Sequence, residues 1–376
     1  MSVTILTGDA REMLATLPDE SVDCCVTSPP YFGLRSYLPD DHADKAKEMG
    51  LEQTPDAYVA GMVDVFREVR RVLKPQGTLW LNLGDSYASS TSNNGGYSNK
   101  STLAGFTNPN TKGRKQAEWT AAHKIVHGLK PKDLIGIPWR VAFALQADGW
   151  YLRQWVPWVK RNPMPESTRD RPTTACETVF MLTKSERYFF NYEAVRRRMA
   201  DASLAQYETA YKGQATKDYA GAGAQNASDL KRRMVDKQRG HSRRHAGFND
   251  RWDAMERSEQ VGERAFRNSD LFYDSLTAPH GAMFNGEHFI ALDMATQPFR
   301  DAHYAVMPAT LVEPLVIASC PTVGIVLDPF GGAGTTGLVA DRLQRDAILI
   351  ELNPENAAMA KRRIETDAGI MAEVIA

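Results

Sequence analysis

Apolar positions fall into two alternating rhythms at both ends of this chain. Val3–Leu6 is a short apolar run of strand length, after which Ala10, Met13, Leu14 and Leu17 recur at helical spacing with Asp9 placed to cap the helix. Val22–Val26 predicts a second strand, ending at Thr27-Ser28-Pro29-Pro30-Tyr31. Tyr58, Met62, Val65, Phe66, Val69, Val72 and Leu73 predict a longer helix, Pro75-Gln76-Gly77 a turn, and Thr78–Leu83 a third strand. A helix near Ile137–Gln146 and a strand around Tyr151–Val159 follow, then a hairpin from Thr178–Thr183 through Lys184–Glu186 to Tyr188–Phe190. Toward the C-terminus the pattern gives helix Leu311–Ser319, strand Ile325–Leu327, helix Thr335–Leu343, strand Ala347–Ile350 and helix Glu355–Ile364. Alternation of this kind predicts an α/β fold, a doubly wound and mostly parallel sheet with helices on both faces.

Two stretches break the rhythm. Ser86–Lys115 is rich in Ser, Asn, Gly and Thr with no apolar period, which predicts a loop insertion spanning about 86–132. From Val195 to Arg300 basic residues, among them Arg197, Arg232 and Arg243, are interleaved with aromatics such as Tyr207, Tyr219 and Trp252. Residues 1–194 and 301–376 then read as one domain, interrupted by a separate basic region over 195–300.

A chain of 376 residues with 43% hydrophobic and 24% charged positions can bury a substantial core. Its net charge of −1 neither suggests nor excludes nucleic acid, because a local basic patch can hide in a neutral total. Cys24, Cys25, Cys176 and Cys320 show no metal-ligand spacing, so no metal is expected, and a disulfide framework is not expected in so large a chain. Met1–Ala10 lacks a basic-then-apolar leader, and no apolar run approaches the roughly 20 residues that span a bilayer. The expectation is a cytoplasmic protein with no membrane contact.

Two motifs carry chemistry. The segment Asp328-Pro329-Phe330-Gly331-Gly332-Ala333-Gly334-Thr335-Thr336-Gly337 holds G-x-G-x-x-G between a strand and a helix, where glycines let the backbone approach a ligand. Glu351 ends the next strand, at about the 20-residue separation from which an acid reaches ribose hydroxyls. Asp328 puts a carboxylate where a pyrophosphate wants amide donors, so a cationic adenosyl ligand, S-adenosylmethionine, is expected rather than a nicotinamide dinucleotide. Ser28-Pro29-Pro30-Tyr31 is a rigid turn at a strand end, rich in carbonyl acceptors, with a hydroxyl at Ser28 and an aromatic face at Tyr31. An exocyclic base amine is a poor nucleophile, since its lone pair is delocalised into the ring. Accepting its two N–H groups on Ser28 and the Pro29 carbonyl localises that lone pair, and Tyr31 or Phe32 can stack a base flipped out of the duplex.

On these motifs the chain resembles the beta-class DNA amino-methyltransferases, in which the catalytic turn precedes the recognition region and the cofactor turn comes last. Gly8-Asp9, Thr27–Tyr31, Leu73–Gly77, Asp328–Gly337 and Ile350–Pro354 match in that order. The resemblance implies a Rossmann-like methyltransferase fold with an inserted target-recognition region. It implies S-adenosylmethionine held by Asp9 (at the adenine), Asp328, Phe330, Gly332, Gly334, Thr335, Glu351 (at the ribose) and Asn353. His303–Pro308 is similar to the segment that flanks the methionine portion. It further implies catalysis by Ser28, Pro29, Pro30 and Tyr31, and Ser at the first position is similar to the N4-cytosine enzymes, Asp or Asn there to the N6-adenine enzymes. A DNA-binding protein that kept the fold without catalysis is the reading from another class.

Methylation at cytosine C5 needs a cysteine nucleophile. Cys24 and Cys25 lie within an apolar strand, and Cys320-Pro321 reverses the expected order, which disfavours that chemistry. Arg197, Arg232 and Arg243 are candidates for phosphate or guanine contacts on double-stranded DNA. Phe32, Trp158 and Lys160 are candidates for the base pocket, Trp155 standing between pocket and plain core. A cognate restriction endonuclease is a possible partner, and oligomeric state is left open.

Overall fold

A computed structural model of the chain describes residues 1–34, 36–88, 128–160, 169–191 and 307–368, with 194, 197–198, 263–264, 292–294 and 373–375. Strand β1 (Ser2–Thr7) leads into helix α1 (Ala10–Leu14), and β2 (Val22–Thr27) is followed by α2 (Pro55–Val72) and β3 (Leu73–Leu83). Helix α3 (Ile137–Ala147) precedes β4 (Tyr151–Lys160) and β5 (Cys176–Thr183). Short strands β6 (Arg197–Arg198), β7 (Glu263–Arg264) and β8 (Leu292–Met294) are followed by α4 (Ala309–Ser319), β9 (Ile325–Asp328), α5 (Thr335–Arg342), β10 (Asp346–Glu351), α6 (Pro354–Ala368) and β11 (Glu373–Ile375).

The helices start where their sequences dictate. Asp9 accepts from the backbone N–H groups of Arg11 and Glu12 at the start of α1. Thr54 caps α2 through Ala57 N, Pro55 stands in its first turn, and Asp56 and Arg70-Arg71 complement its dipole at the two ends. Asp85, remote in sequence, accepts from Gly136 N (3.1 Å) and Ile137 N (3.0 Å) and so caps α3 from the end of β3.

Nine strands form one sheet in the order β11-β1-β10-β9-β2-β3-β5-β4-β8, while β6 and β7 pair separately and antiparallel. From β11 to β3 all pairings are parallel; β5 runs antiparallel between β3 and β4. Alternate side chains feed two cores. Cys25, Leu79, Leu81, Leu83, Phe180 and Leu182 pack under α1, α2 and α3. Cys24, Val26, Trp80, Val179, Met181 and Leu349 pack under α4, α5 and α6. A period of two along each strand therefore builds the doubly wound arrangement that the sequence predicts.

Three local expectations are corrected. Pro75-Gln76-Gly77 does not precede β3 but bulges within it: Val22 faces Leu73, whereas Cys24 already faces Thr78. Proline has no N–H for the ladder, so the chain loops out and rejoins. Tyr188–Phe190 is not the partner of β5, because β3 and β4 already occupy both of its edges. Phe189 N instead donates to Gln76 O of the bulge at 2.9 Å. Leu292–Met294, expected inside the separate basic region, pair with Trp158–Lys160 as the outermost strand of the main sheet.

The chain fills its sheet out of sequence order. The connection from β1 to β2 leaves two places that β10 and β9 later occupy, so β9 pairs with β2 through Cys24–Val326 and Cys25–Leu327. A buried clamp fixes this junction. Thr27 Oγ1 donates to Asp328 Oδ1 (2.6 Å), Thr336 Oγ1 to Asp328 Oδ2 (2.7 Å), and Phe330 N to Asp328 Oδ1 (3.1 Å). Of the residues expected in the loop insertion, Ser86–Ala88 bond to Asp133 and Ile135 at its neck, and 89–127 lie outside the described residues. Among the described residues no helix is long and apolar enough to cross a membrane.

Gly334 opens α5 with φ +78°, and a Cβ there would lie 2.8 Å from Ala360 Cβ and 3.1 Å from its Cα. Gly334→Ala should separate α5 from α6 and lower stability by about 1–3 kcal/mol, the range for overpacking. A denaturant titration checks this; an unchanged midpoint would show that the glycine is not required.

Candidate active site

Five parallel strands end on one edge of the sheet, and four of these ends carry the residues singled out above. β1 ends at Gly8-Asp9, β2 at Ser28, β9 at Pro329-Phe330, β10 at Glu351, and β3 at Gly84-Asp85. A ligand site at such an edge, where strand order reverses, is the rule for open α/β sheets. A cleft of about 820 Å³, open solvent included, is lined by Asp9, Ser28–Tyr31, Phe330, Gly332, Glu351 and Asn353. The Ser28–Tyr31 turn and the glycine turn, about 300 residues apart in sequence, thus face one space.

Glu351 is half-buried. Its Oε2 accepts from Gly332 N (2.8 Å), and its Oε1 from Asn353 N (2.9 Å) and Asn356 Nδ2 (3.2 Å). Burial raises its pKa, against the opposing pull of the Asn353 and Gly332 amides. A carboxylate offers about four acceptor positions, so two ribose hydroxyls would displace one of these bonds. The Asn356 side chain is the freest to move. Asn353 donates to Tyr37 O (3.2 Å) and accepts from Glu355 N (2.9 Å), tying the strand end to α6.

Asp328 does not face the cleft. It is 2% exposed, and both oxygens are occupied by Thr27, Thr336 and Phe330. Burial raises its pKa despite those three bonds. The acidity of the cleft comes instead from Asp9, Glu48 and Glu351. Gly334 and Thr335 also lie off the cleft wall: Gly334 packs on Ala360, and Thr335 Oγ1 accepts from Arg363 at 2.8 Å. Asp9 lines the cleft, but its oxygens accept from Arg11 Nε (3.0 Å), Arg11 Nη2 (2.9 Å) and the helix amides. Burial would raise its pKa; the Arg11 hydrogen bond and charge outweigh that and hold it below the usual carboxylate value.

At the proline turn Tyr58 OH donates to Pro30 O (2.8 Å), while the Pro29 carbonyl is engaged by no partner among the described residues. Tyr31 fits because Gly84 has no side chain; a Cβ there would stand 2.5 Å from Tyr31 Cε2. Tyr31 OH donates to Glu177 Oε2 (2.7 Å), and Asn82 Nδ2 contacts Tyr31 OH (2.9 Å), Glu177 Oε2 (3.1 Å) and Ser28 Oγ (3.2 Å). Lys160 donates to Glu177 Oε1 and lies 5.0 Å from the Trp158 ring centroid. Burial, reinforced by the Glu177 charge, pushes the Tyr31 phenol well up, so it stays protonated.

Of the aromatic candidates, Phe32 is 1% exposed against Tyr58 and cannot stack a base in this arrangement. Trp158 is 3% exposed and belongs to the core beneath Lys160, while Trp155 is 43% exposed and packs on Trp139. Cys24 and Cys25 are fully buried, and burial raises both thiols well up, away from nucleophilic thiolates. Arg197 is described only as backbone in β6; Arg232, Arg243 and 303–306 lie outside the described residues. Sequence reasoning missed Asn82 and Glu177. Asn82, a polar residue in the otherwise apolar run Leu79–Leu83, was the available signal; Glu177 had none.

The geometry can be set beside known proteins. Residues 22–362 match the family model for N6/N4 DNA methylases, described as DNA methylase. The chain is 36% identical over 362 residues to the Type II methyltransferase M.Cfr9I of Citrobacter freundii, covering 96% of this chain and 87% of that one. It is 35% identical to the Type II methyltransferase M.SmaI of Serratia marcescens, covering 96% and 91%. The solved structure of the PvuII DNA methyltransferase, cytosine-N4-specific, superposes with a TM-score of 0.50 at 17% identity, over 96% of this chain and 86% of that one, a likeness of fold.

Asp9→Ala should cost about 0.5–2 kcal/mol, the range for a lost helix cap. The Asp9 contribution is fully present above its unfolded-state pKa and is lost as pH falls through its lower folded value. The difference between wild type and variant in urea unfolding should therefore shrink toward acid; a pH-independent difference would contradict the ionic cap.

Proposed function

Because this chain belongs to the N6/N4 DNA methylase family and uses S-adenosylmethionine as its methyl donor, we propose that it methylates the exocyclic N4 of cytosine in double-stranded DNA. The observation that supports this most is the single cleft shared by Ser28–Tyr31 and the glycine turn. Its lining suits the donor. Phe330 and Ile350 offer an apolar wall for adenine, Glu351 an acceptor for the ribose, and the carboxylates favour a cation over a pyrophosphate. When bound, the donor supplies an electrophilic methyl group on a sulfonium.

The protein's part is positioning and electrostatics. Ser28 Oγ and the open Pro29 carbonyl accept the two N–H groups of the flipped base, which localises the nitrogen lone pair toward the methyl. Tyr58 keeps the proline turn in place through Pro30 O. The half-buried Tyr31 ring is the stacking surface, since Phe32 is in the core. Ser at the first position of the turn favours cytosine N4 over adenine N6. The basic stretch between β5 and β8, with Arg197, Arg232 and Arg243, is the proposed recognition element. Relatives named as Type II methyltransferases support a restriction-modification setting with a cognate endonuclease. Four free cysteines, three of them buried, suit a reducing cytoplasm.

Incubating the protein with labelled donor and unmodified bacterial DNA, then digesting to nucleosides for mass analysis, tests this. N4-methylcytosine is expected; N6-methyladenine would move the assignment to the other amine, and no labelled nucleoside would overturn it. Tyr31→Ala should abolish transfer while donor affinity, measured by titration, is largely kept. Glu351→Ala should weaken donor binding by about 1–3 kcal/mol, the cost of losing charge-assisted hydrogen bonds; unchanged affinity would remove the ribose role.

A further inference from the structure

Ser28 serves as an acceptor only if its own proton points away from the base. A serine hydroxyl has one proton and two lone pairs, and it rotates to suit its surroundings. Nothing in Ser28 itself fixes that choice, so the direction must be set by the groups behind it.

Behind it stands a chain of three polar groups ending on a carboxylate. Glu177 is ion-paired to Lys160, and its side chain is 15% exposed. A carboxylate is acceptor-only, so Tyr31 OH must donate its proton to Glu177 Oε2, 2.7 Å away. The Tyr31 oxygen is then left with lone pairs alone, and Ser28 Oγ, at 3.5 Å, can direct its hydrogen there. Asn82 Nδ2 reinforces the order, since an amide N–H can only donate, and it lies 2.9 Å from the Tyr31 oxygen and 3.2 Å from Ser28 Oγ. Asn82 is 2% exposed, so water does not compete for these contacts.

We infer that Glu177, held by Lys160, is a positioning residue that sets the donor direction of the Tyr31–Ser28 hydroxyl chain and so keeps Ser28 an acceptor for the base amine. The inference rests on the amine-transfer reading above. It also explains why a residue at the start of a strand belongs to a site made of strand ends. β5 is antiparallel, and its first residues lie beside the last residues of β3, with Thr178 facing Leu83. Replacing Glu177 by glutamine keeps the shape but supplies an N–H that can donate to Tyr31, turning the chain around.

Single-turnover transfer to unmodified DNA, with donor affinity and KM for DNA measured alongside, tests it on the full chain. Glu177→Gln should lower the transfer rate constant by up to roughly 100-fold, the scale for a misplaced reacting group, with KM and donor affinity unchanged. Glu177→Asp, which keeps the carboxylate, should recover part of the rate. Since Glu177 acts through the Tyr31 hydroxyl, adding Glu177→Gln to Tyr31→Phe should cost little beyond Tyr31→Phe alone. A wild-type rate in Glu177→Gln, additive losses in the double variant, or Asp no better than Gln would each overturn the inference. If the glutamine variant does not fold, the same cycle run with Glu177→Asp and Tyr31→Phe decides it. Wild type transferring no methyl group at all would instead count against the amine-transfer reading.

Discussion

The site depends on one buried carboxylate. Asp328, at the end of β9, accepts from Thr27 at the end of β2 and from Thr336 in α5, so it joins two strands and a helix at the point where strand order reverses. Hydrogen bonds to a charged group contribute about 1.5–3 kcal/mol each, and leaving one partner buried and unpaired costs more. The clamp also fixes where the next residues go. Ser28 follows Thr27 directly, and Pro329-Phe330 follow Asp328, so the proline and glycine turns leave the sheet side by side.

That role changes the electrostatic picture of the cleft. An acid at the head of the glycine turn reads as a ligand for a cation, but its oxygens are already occupied and it never reaches the cleft. The carboxylates that line the space are Asp9, Glu48 and Glu351. Asp9 is neutralised by Arg11 and Glu48 by Lys45, whereas Glu351 is held by amides alone. Among the described residues, Glu351 is thus the lining carboxylate that no basic side chain pairs.

The antiparallel strand β5 extends the site beyond the strand ends. Because it runs against its neighbours, it brings Glu177 to the edge of the sheet that carries the cleft, where Lys160 of β4 and Asn82 of β3 meet it. Gly84 completes this corner by leaving room for the Tyr31 ring. A flat aromatic surface, a rigid proline turn and a polar chain behind them are thus assembled from four separate strands.

The sequence by itself determined the alternation of strands and helices, the two turns and the cap of α1, because each depends on spacing within a few positions. The apolar run Leu79–Leu83 and the cap at Asp9 need no partner to be recognised. Three things were decided only by the tertiary structure. Tyr188–Phe190 is excluded from β5 because both edges of that strand are taken, and edge occupancy is a property of the whole sheet. Phe32 is buried while Tyr31 is half-exposed, although they are adjacent and both aromatic, because Tyr58 packs on one of them. Glu177 carries no local pattern and Asn82 only that of one polar residue in an apolar run, since what makes them part of the site is a hydrogen bond across 95 residues, and such a contact is set by strand order and direction rather than by neighbouring residues.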